Sequence, residues 1–221
     1  MNILFDTSSL NHKGIGRFTS TLLDTLKEMP YSLKKYNYKG NVYSINSFFR
    51  KIPKNKWDIY LTSHFIVPLN IILSRKTIIL TIHDVIPFRK LSFKFYILYL
   101  YLFLILRLPN IKVLTPSQTS KQLISKFFYV QKNKIFVIYN KSFSNNLISE
   151  KNTIVHETRP KIKLLYIGNL KEHKNLKLIL KACEIVERSK KDFLELVIVS
   201  GFKPNTTNMS NLNLKKNYIK I

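Results

Sequence analysis

Short apolar runs alternate with longer stretches of helical spacing along most of this chain, and most runs stop at a small, polar or histidine residue. That alternation is the signature of βαβ units, whose parallel strands are buried on both faces and joined by crossover helices. Strands are expected at Asn2–Phe5, Val42–Ile45, Ile59–Thr62, Thr77–Ile82, Lys112–Thr115 and Ile135–Tyr139. Helical spacing fills Gly14–Glu28, with Phe18, Leu22, Leu23 and Leu26 along one face, and a stretch through Phe127 that Ser117 is placed to cap. From Asn140 to Arg159 the sequence turns polar and loses apolar periodicity, then the pattern restarts. Lys163–Ile167 reads as a strand and Lys174–Glu187 as a helix with Leu176, Ile179, Leu180 and Ile185 facing inward. Leu194–Val199 reads as a further strand. The organisation expected is a Rossmann-like, doubly wound α/β domain over residues 1–145, a linker over 146–161, and an incomplete second Rossmann-like domain over 162–221.

With 45% apolar and 13% aromatic residues in 221, the chain has ample material for a packed core, which excludes disorder as its general state. Its 37 Lys+Arg against 12 Asp+Glu give a formal charge of +25. A positive excess of that size suits nucleic acid, an acidic membrane surface or a phosphorylated substrate. Enrichment in Lys and Asn is also what an AT-rich gene would encode. One cysteine, Cys183, excludes a disulfide framework, and its helical neighbours Leu180, Ala182 and Ile185 suit it to packing rather than nucleophilic chemistry. The start of the chain lacks the basic and apolar regions of a secretory signal. The longest apolar run, Phe95–Leu106, has twelve residues, short of the roughly 20 needed to span a bilayer. It reads either as a buried helix or strand, or as a helix lying on a membrane with Tyr96, Tyr99 and Tyr101 near the headgroups.

Three motifs fall at strand ends, where open α/β sheets bind ligands. Gly14-Ile15-Gly16-Arg17 opens the first helix, with Arg17 at a helix start that already favours an anion; a plain strand-to-helix connection would also use these glycines. Thr81-Ile82-His83-Asp84-Val85-Ile86-Pro87 delivers His83 and Asp84 from a hydrophobic strand, and Ser63-His64 ends its predecessor, so two histidines can face one crevice. A His83 bonded only to backbone is the simpler alternative. Tyr166-Ile167-Gly168-Asn169 followed by His173-Lys174 places a glycine and a cation between a strand and a helix, as a diphosphate site requires, although a solvated helix start has the same composition. The P-loop spacing is missing, as is G-x-S-x-G. His12, His156 and His173 are scattered, so no metal site is expected.

In this order, GIGR, HDVIP, VLTPSQTSKQLI and YIGNLKEHKNL resemble glycosyltransferase family 4, of the two-Rossmann GT-B type, and most of all its bacterial surface-polysaccharide members. The resemblance implies that Gly14, Ile15, Gly16 and Arg17 form a loop beside the acceptor and the transferring sugar. It implies that His83, followed by Asp84, is the active-site histidine near the sugar. Gly168, Asn169, His173 and Lys174 would hold the donor diphosphate, with Lys174 neutralising it as it leaves. It further implies transfer from a nucleotide sugar with retention and without a metal or other cofactor, to a glycan or lipid-linked acceptor at the cytoplasmic face of the membrane. Asn169 and His173 stand where the family often has Arg or Thr and Arg, which lowers the fixed positive charge. The family's E-x7-E pair is not matched in place: Glu187 and Glu195 have the spacing, but one ends a helix and the other starts the next strand. The expectation is therefore a glycosyltransferase truncated in its donor domain. The alternatives are a basic nucleic-acid-binding protein, supported by charge alone and by no recognition motif, and an inactive scaffold on a membrane surface.

Overall fold

The structure is a computed structural model; it describes residues 1–12, 14–52, 56–89, 92–140, 162–168, 174–191, 193–199 and 219–220. The chain divides into two compact units, Met1–Asn146 and Leu147–Ile221. The linker expected over 146–161 lies outside the described residues.

The first unit is a six-stranded, wholly parallel sheet made of β1 (Asn2–Asp6), β2 (Ser32–Tyr36), β3 (Ile59–Thr62), β4 (Thr77–Thr81), β5 (Ile111–Thr115) and β6 (Ile135–Val137). The strand order is β2-β1-β3-β4-β5-β6. The chain runs outward from β1 to β2, then returns to lay β3 on the other side of β1. Strand order therefore reverses between β1 and β3, the kind of crevice in which doubly wound sheets bind ligands. Helix α1 (Ile15–Lys27) covers one face through Leu23 and Leu26, against Ile3, Phe5 and Leu61. The short α2 (Leu69–Ile72), α3 (Phe93–Ile105) and α4 (Gln118–Phe128) contribute to the larger core on the opposite face, with Leu4, Tyr60, Ile78, Leu80 and Val113. The predicted cap of α4 is present: Ser117 Oγ accepts from Ser120 N at 3.0 Å.

Two strand expectations need correction. Residues 42–45 form no strand; a turn leads into a 3₁₀ turn at Ile45–Phe48. The edge strand is instead Ser32–Tyr36, whose paired lysines Lys34 and Lys35 disguise it and are the charged residues that protect an open sheet edge. The last strand of the unit stops at Val137, two residues short of Tyr139.

The run Phe93–Ile105 is a helix, with Leu98, Leu102 and Ile105 buried. Two of the three tyrosines expected at lipid headgroups lie inward. Tyr99 stacks on Phe128 at 5.5 Å, and the Tyr101 hydroxyl donates to Val67 O and accepts from Val67 N, both at 3.0 Å. Only Tyr96 of the three is exposed. No helix among the described residues is long and apolar enough to cross a membrane.

In the second unit, β7 (Ile162–Ile167), β8 (Leu194–Val199) and β9 (Ile219–Lys220) form a parallel sheet in that order. Helix α5 (Leu176–Ser189) buries Leu176 and Cys183 against Tyr166, Leu194, Leu196 and Ile198. Ile185 does not face inward as expected but is exposed, because nine residues beyond Leu176 is two and a half helical turns. The Glu187 carboxylate accepts from Leu194 N at 3.0 Å, so one member of the accidental E-x7-E pair ties the end of α5 to the start of β8.

Candidate functional site

The carboxyl ends of β1, β3 and β4 bring the first two motifs into one neighbourhood, organised around a residue whose role the sequence does not disclose. Asp6, the last residue of β1, is fully buried. Its Oδ2 accepts from Arg50 Nη2 at 2.5 Å and from the Tyr60 hydroxyl at 2.6 Å, and lies 3.3 Å from His64 Nε2. Its Oδ1 accepts from Ser8 N at 3.0 Å and from the Ser8 hydroxyl. Burial by itself would raise the Asp6 pKa, but His64, Arg50 and Ser8 outweigh it and hold the carboxyl well below the usual carboxylate range. The Tyr60 hydroxyl moves the other way, pushed up by complete burial and by the neighbouring carboxylate. The Arg50 guanidinium lies 5.7 Å from the centre of the Tyr36 ring and 5.4 Å from that of Tyr38, while its Nε and Nη1 have no hydrogen-bond partner among the described residues.

This cluster pins three connections at the strand-order reversal. Ser8 belongs to the β1–α1 connection, Arg50 follows the 3₁₀ turn after β2, and His64 follows β3. The His64 ring accepts at Nδ1 from Ile66 N at 3.3 Å, which leaves its hydrogen on Nε2, the nitrogen beside Asp6.

The β1–α1 connection is wound tightly. Leu10 N bonds Thr7 O, His12 N bonds Ser9 O, and Gly16 N bonds His12 O. Gly14 caps α1 at φ +81°, a conformation that favours glycine. Gly16 is buried against this connection, and a Cβ there would run into the Leu10 carbonyl. The two glycines are thus required for different reasons, one conformational and one steric. Ile15 is half-buried and Arg17 is exposed. Thr19, one turn into α1, donates its hydroxyl to Ile15 O at 2.8 Å and accepts from Ser63 Oγ at 2.7 Å, which joins this helix to the end of β3.

His83 is half-buried just past β4. Its Nε2 lies 3.2 Å from Ser63 O, its ring meets the Phe18 ring edge-on at 5.1 Å, and Ser120 Oγ donates to its backbone carbonyl at 2.9 Å. A carbonyl oxygen only accepts, so the neutral ring carries its hydrogen on Nε2 and presents Nδ1 as an acceptor. Burial lowers the His83 pKa, against smaller opposing effects of the Ser63 carbonyl and Asp84. His83 is therefore neutral at pH 7. In histidine NMR spectra its ring is expected to titrate below the ordinary value of about 6.5. Because the folded pKa is the lower one, this residue's contribution to stability is complete above that ordinary value and declines as pH falls from it toward the folded pKa. Asp84 is exposed, and its carboxylate accepts from Ile86 N at 2.9 Å, capping the 3₁₀ turn at Ile86–Arg89.

A cavity of about 550 Å³ opens beside α1, lined by Gly14, Arg17 and Phe18 together with Leu61, Ile79 and Leu114 from the sheet. His83 is not in its lining; Phe18 stands between them, lining the cavity and touching the imidazole.

The third motif lies in the second unit. Gly168 directly follows β7 and donates its N–H to Val199 O at 3.1 Å, so that amide is committed to the sheet. Lys174 is exposed just before Asn175, the N-cap of α5, which makes no side-chain capping bond; the first turn of α5 carries no acidic residue. Asn169 and His173 lie outside the described residues. Among the described residues no group of three His, Cys, Asp or Glu is placed to hold a metal ion.

No family model matches this chain, and no curated protein matches it either. Among solved structures it is similar to an S. aureus MnaA–UDP co-structure, with 14% identity and a TM-score of 0.49 over 99% of this chain and 67% of that one. The fold itself, a Rossmann-like α/β arrangement with its strand order reversing between β1 and β3, is read from the chain's own strand pairing.

Proposed function

We propose that the chain is the acceptor-side domain and part of the donor-side domain of a glycosyltransferase of the family 4 type, which moves a sugar from a nucleotide donor to a glycan or lipid-linked acceptor with retention. The observation that carries this reading is His83. It is a neutral, partly buried imidazole at a strand's carboxyl end, tied at Nε2 to Ser63 O and offering an acceptor at Nδ1, against Phe18 in the first turn of α1, which also carries Arg17. A neutral acceptor suits a sugar hydroxyl, whereas an imidazolium would repel a developing positive charge at the anomeric carbon.

In the reaction, the bond from the anomeric carbon to the diphosphate breaks and a bond from the acceptor hydroxyl to that carbon forms. The hydroxyl proton leaves with the departing phosphate. Gly14, Ile15, Gly16 and Arg17 border the acceptor and sugar. Asp84 fixes the turn after His83 through Ile86 N. By the resemblance Gly168, Asn169, His173 and Lys174 are the donor-diphosphate residues; the exposed Lys174 and the start of α5, which has no side-chain cap, favour negative charge there.

The test is a panel of nucleotide sugars titrated calorimetrically into the full chain. His83→Ala and Lys174→Ala are each expected to weaken the donor that binds by roughly tenfold, the scale of one lost charge-assisted or neutral hydrogen bond. Failure of every nucleotide sugar to bind, or variants indistinguishable from the parent, would sink the reading.

A further inference from the structure

Two fully buried hydroxyls, Thr19 on α1 and Ser63 just past β3, stand between the glycine motif and the His83 ring. Burying a hydroxyl is costly unless it is bonded, and these two bond each other. The Thr19 hydroxyl has one hydrogen and two neighbours. Ile15 O, 2.8 Å away, can only accept, so the hydrogen goes there. Ser63 Oγ, 2.7 Å away, must then donate to Thr19, which ties Ser63 to the helix in one direction only.

Ser63 lies where the sheet no longer fixes the chain. Pairing of β3 with β4 ends at Leu61 opposite Ile79, and pairing with β1 ends at Asp6 opposite Thr62. Thr81 holds the residues on either side, donating its hydroxyl to Thr62 O at 2.8 Å and its N–H to His64 O at 3.3 Å. The carbonyl of Ser63 is the atom that meets His83 Nε2, at 3.2 Å. That length is already at the long end of the usual range, so a small retreat of Ser63 opens the bond.

Helix α1 therefore holds the imidazole through two adjacent residues. Phe18 meets the ring edge-on at 5.1 Å, and Thr19 holds the residue whose carbonyl accepts from it. The His83 main chain is held separately, by Ser120 Oγ on α4, so the contacts from α1 act on the ring. Thr25 on the same helix makes the same local bond, to Thr21 O at 3.0 Å, but is exposed. An apolar pair shaped like Thr19 and Ser63 would fill the space with little change in stability, because replacing both partners of a buried hydrogen bond is nearly neutral. What the hydroxyls add is direction.

We propose that Thr19 is a positioning residue, which through Ser63 keeps the His83 ring proton on Nε2 and leaves Nδ1 bare as an acceptor. That Nδ1 meets a sugar hydroxyl rests on the glycosyltransferase reading; the tie from Thr19 to the ring does not.

The test is nitrogen-15 NMR of the histidine rings in the full chain at about pH 8, above the ordinary histidine value. The His83 signals are assigned by their loss in His83→Gln. The parent is expected to show two widely separated ring signals, one protonated nitrogen and one bare. Thr19→Val leaves the Ser63 hydroxyl buried without its acceptor, so its thermal midpoint falls and its two signals move toward each other as the tautomers mix. Thr19→Val/Ser63→Ala leaves no such orphan; it is expected to show the same signal shift at a midpoint close to the parent's. Thr19→Ser keeps the hydroxyl and is expected to keep the parental signals, as is Thr25→Val. With a nucleotide sugar that binds the parent, the double variant is expected to bind roughly threefold to tenfold more weakly and Thr19→Ser equally well. Parental ring signals in Thr19→Val/Ser63→Ala would overturn the proposal. So would a Thr25→Val variant with shifted signals, or a Thr19→Ser variant that behaves like Thr19→Val. If no nucleotide sugar binds the parent, the glycosyltransferase reading fails, and the ring signals still decide the role of Thr19.

Discussion

Replacing Asp6 with alanine is expected to cost about 3–5 kcal/mol, because it leaves the Arg50 guanidinium buried without its carboxylate. The Tyr60 hydroxyl and the Ser8 amide lose their acceptor in the same change. Asp6→Asn keeps the shape and removes the charge, so it is expected to be destabilising by less than alanine but still substantially. Thermal unfolding followed by circular dichroism measures both. The pH dependence has a defined sign. The Asp6 pKa in the folded chain lies below its unfolded value of about 3.8. Its stabilising contribution is therefore complete above that value and is lost as pH falls below it toward the folded pKa. The Asp6→Asn variant is expected to lose this part of the acid sensitivity, so that the two unfolding curves converge as pH falls below 4. A parent and variant whose difference is constant from pH 7 to pH 2 would show that the carboxylate is not the centre of the cluster.

The second large effect is expected at Gly16. A methyl group there meets the Leu10 carbonyl oxygen and carbon, with the Ser9 oxygen 3.2 Å away. All are backbone atoms that cannot rotate aside. Gly16→Ala must therefore move the β1–α1 connection or shift α1, at a cost of about 1–3 kcal/mol. Its consequence for function is larger than for stability. The same helix carries Arg17, Phe18 against the His83 ring, and Thr19 bonded to Ser63. Small displacements at such positions are amplified in a site that depends on fixed geometry. Nucleotide-sugar binding is expected to fall by at least roughly tenfold in this variant, and normal binding at parental stability would show that the close approach of Gly16 to Leu10 does not set the site.

Much of the architecture is legible in the sequence for a simple reason. Strands inside a parallel sheet are largely apolar, so TIILT and LELVIV stand out in a chain rich in lysine, although Glu195 interrupts the second. The edge strand SLKKY obeys a different requirement, protection of an open edge, and its lysines make it look like a loop. The glycine motif and His83 are legible because they sit at the ends of recognisable strands. The Asp6 cluster is not, since Arg50 and His64 lie 44 and 58 residues away and meet Asp6 only when β3 returns beside β1. The available signal is an aspartate that directly ends an apolar strand, where its burial demands a partner. Helix α3 shows the same limit. A uniformly apolar run has no periodicity to distinguish its core face from its outer one, so Tyr99 and Tyr96 look equivalent until the packing against Phe127 and Phe128 is seen.

The central claim is that the carboxyl ends of β1, β3 and β4 form the ligand site. Hydrogen–deuterium exchange of the full chain, with and without a saturating nucleotide sugar, tests it most directly. Slower exchange is expected in the amides of residues 8–17, 63–66 and 83–86, with α2 and the far ends of the strands unchanged. Protection confined to other segments of the first unit, or no protection with any nucleotide sugar, would contradict it.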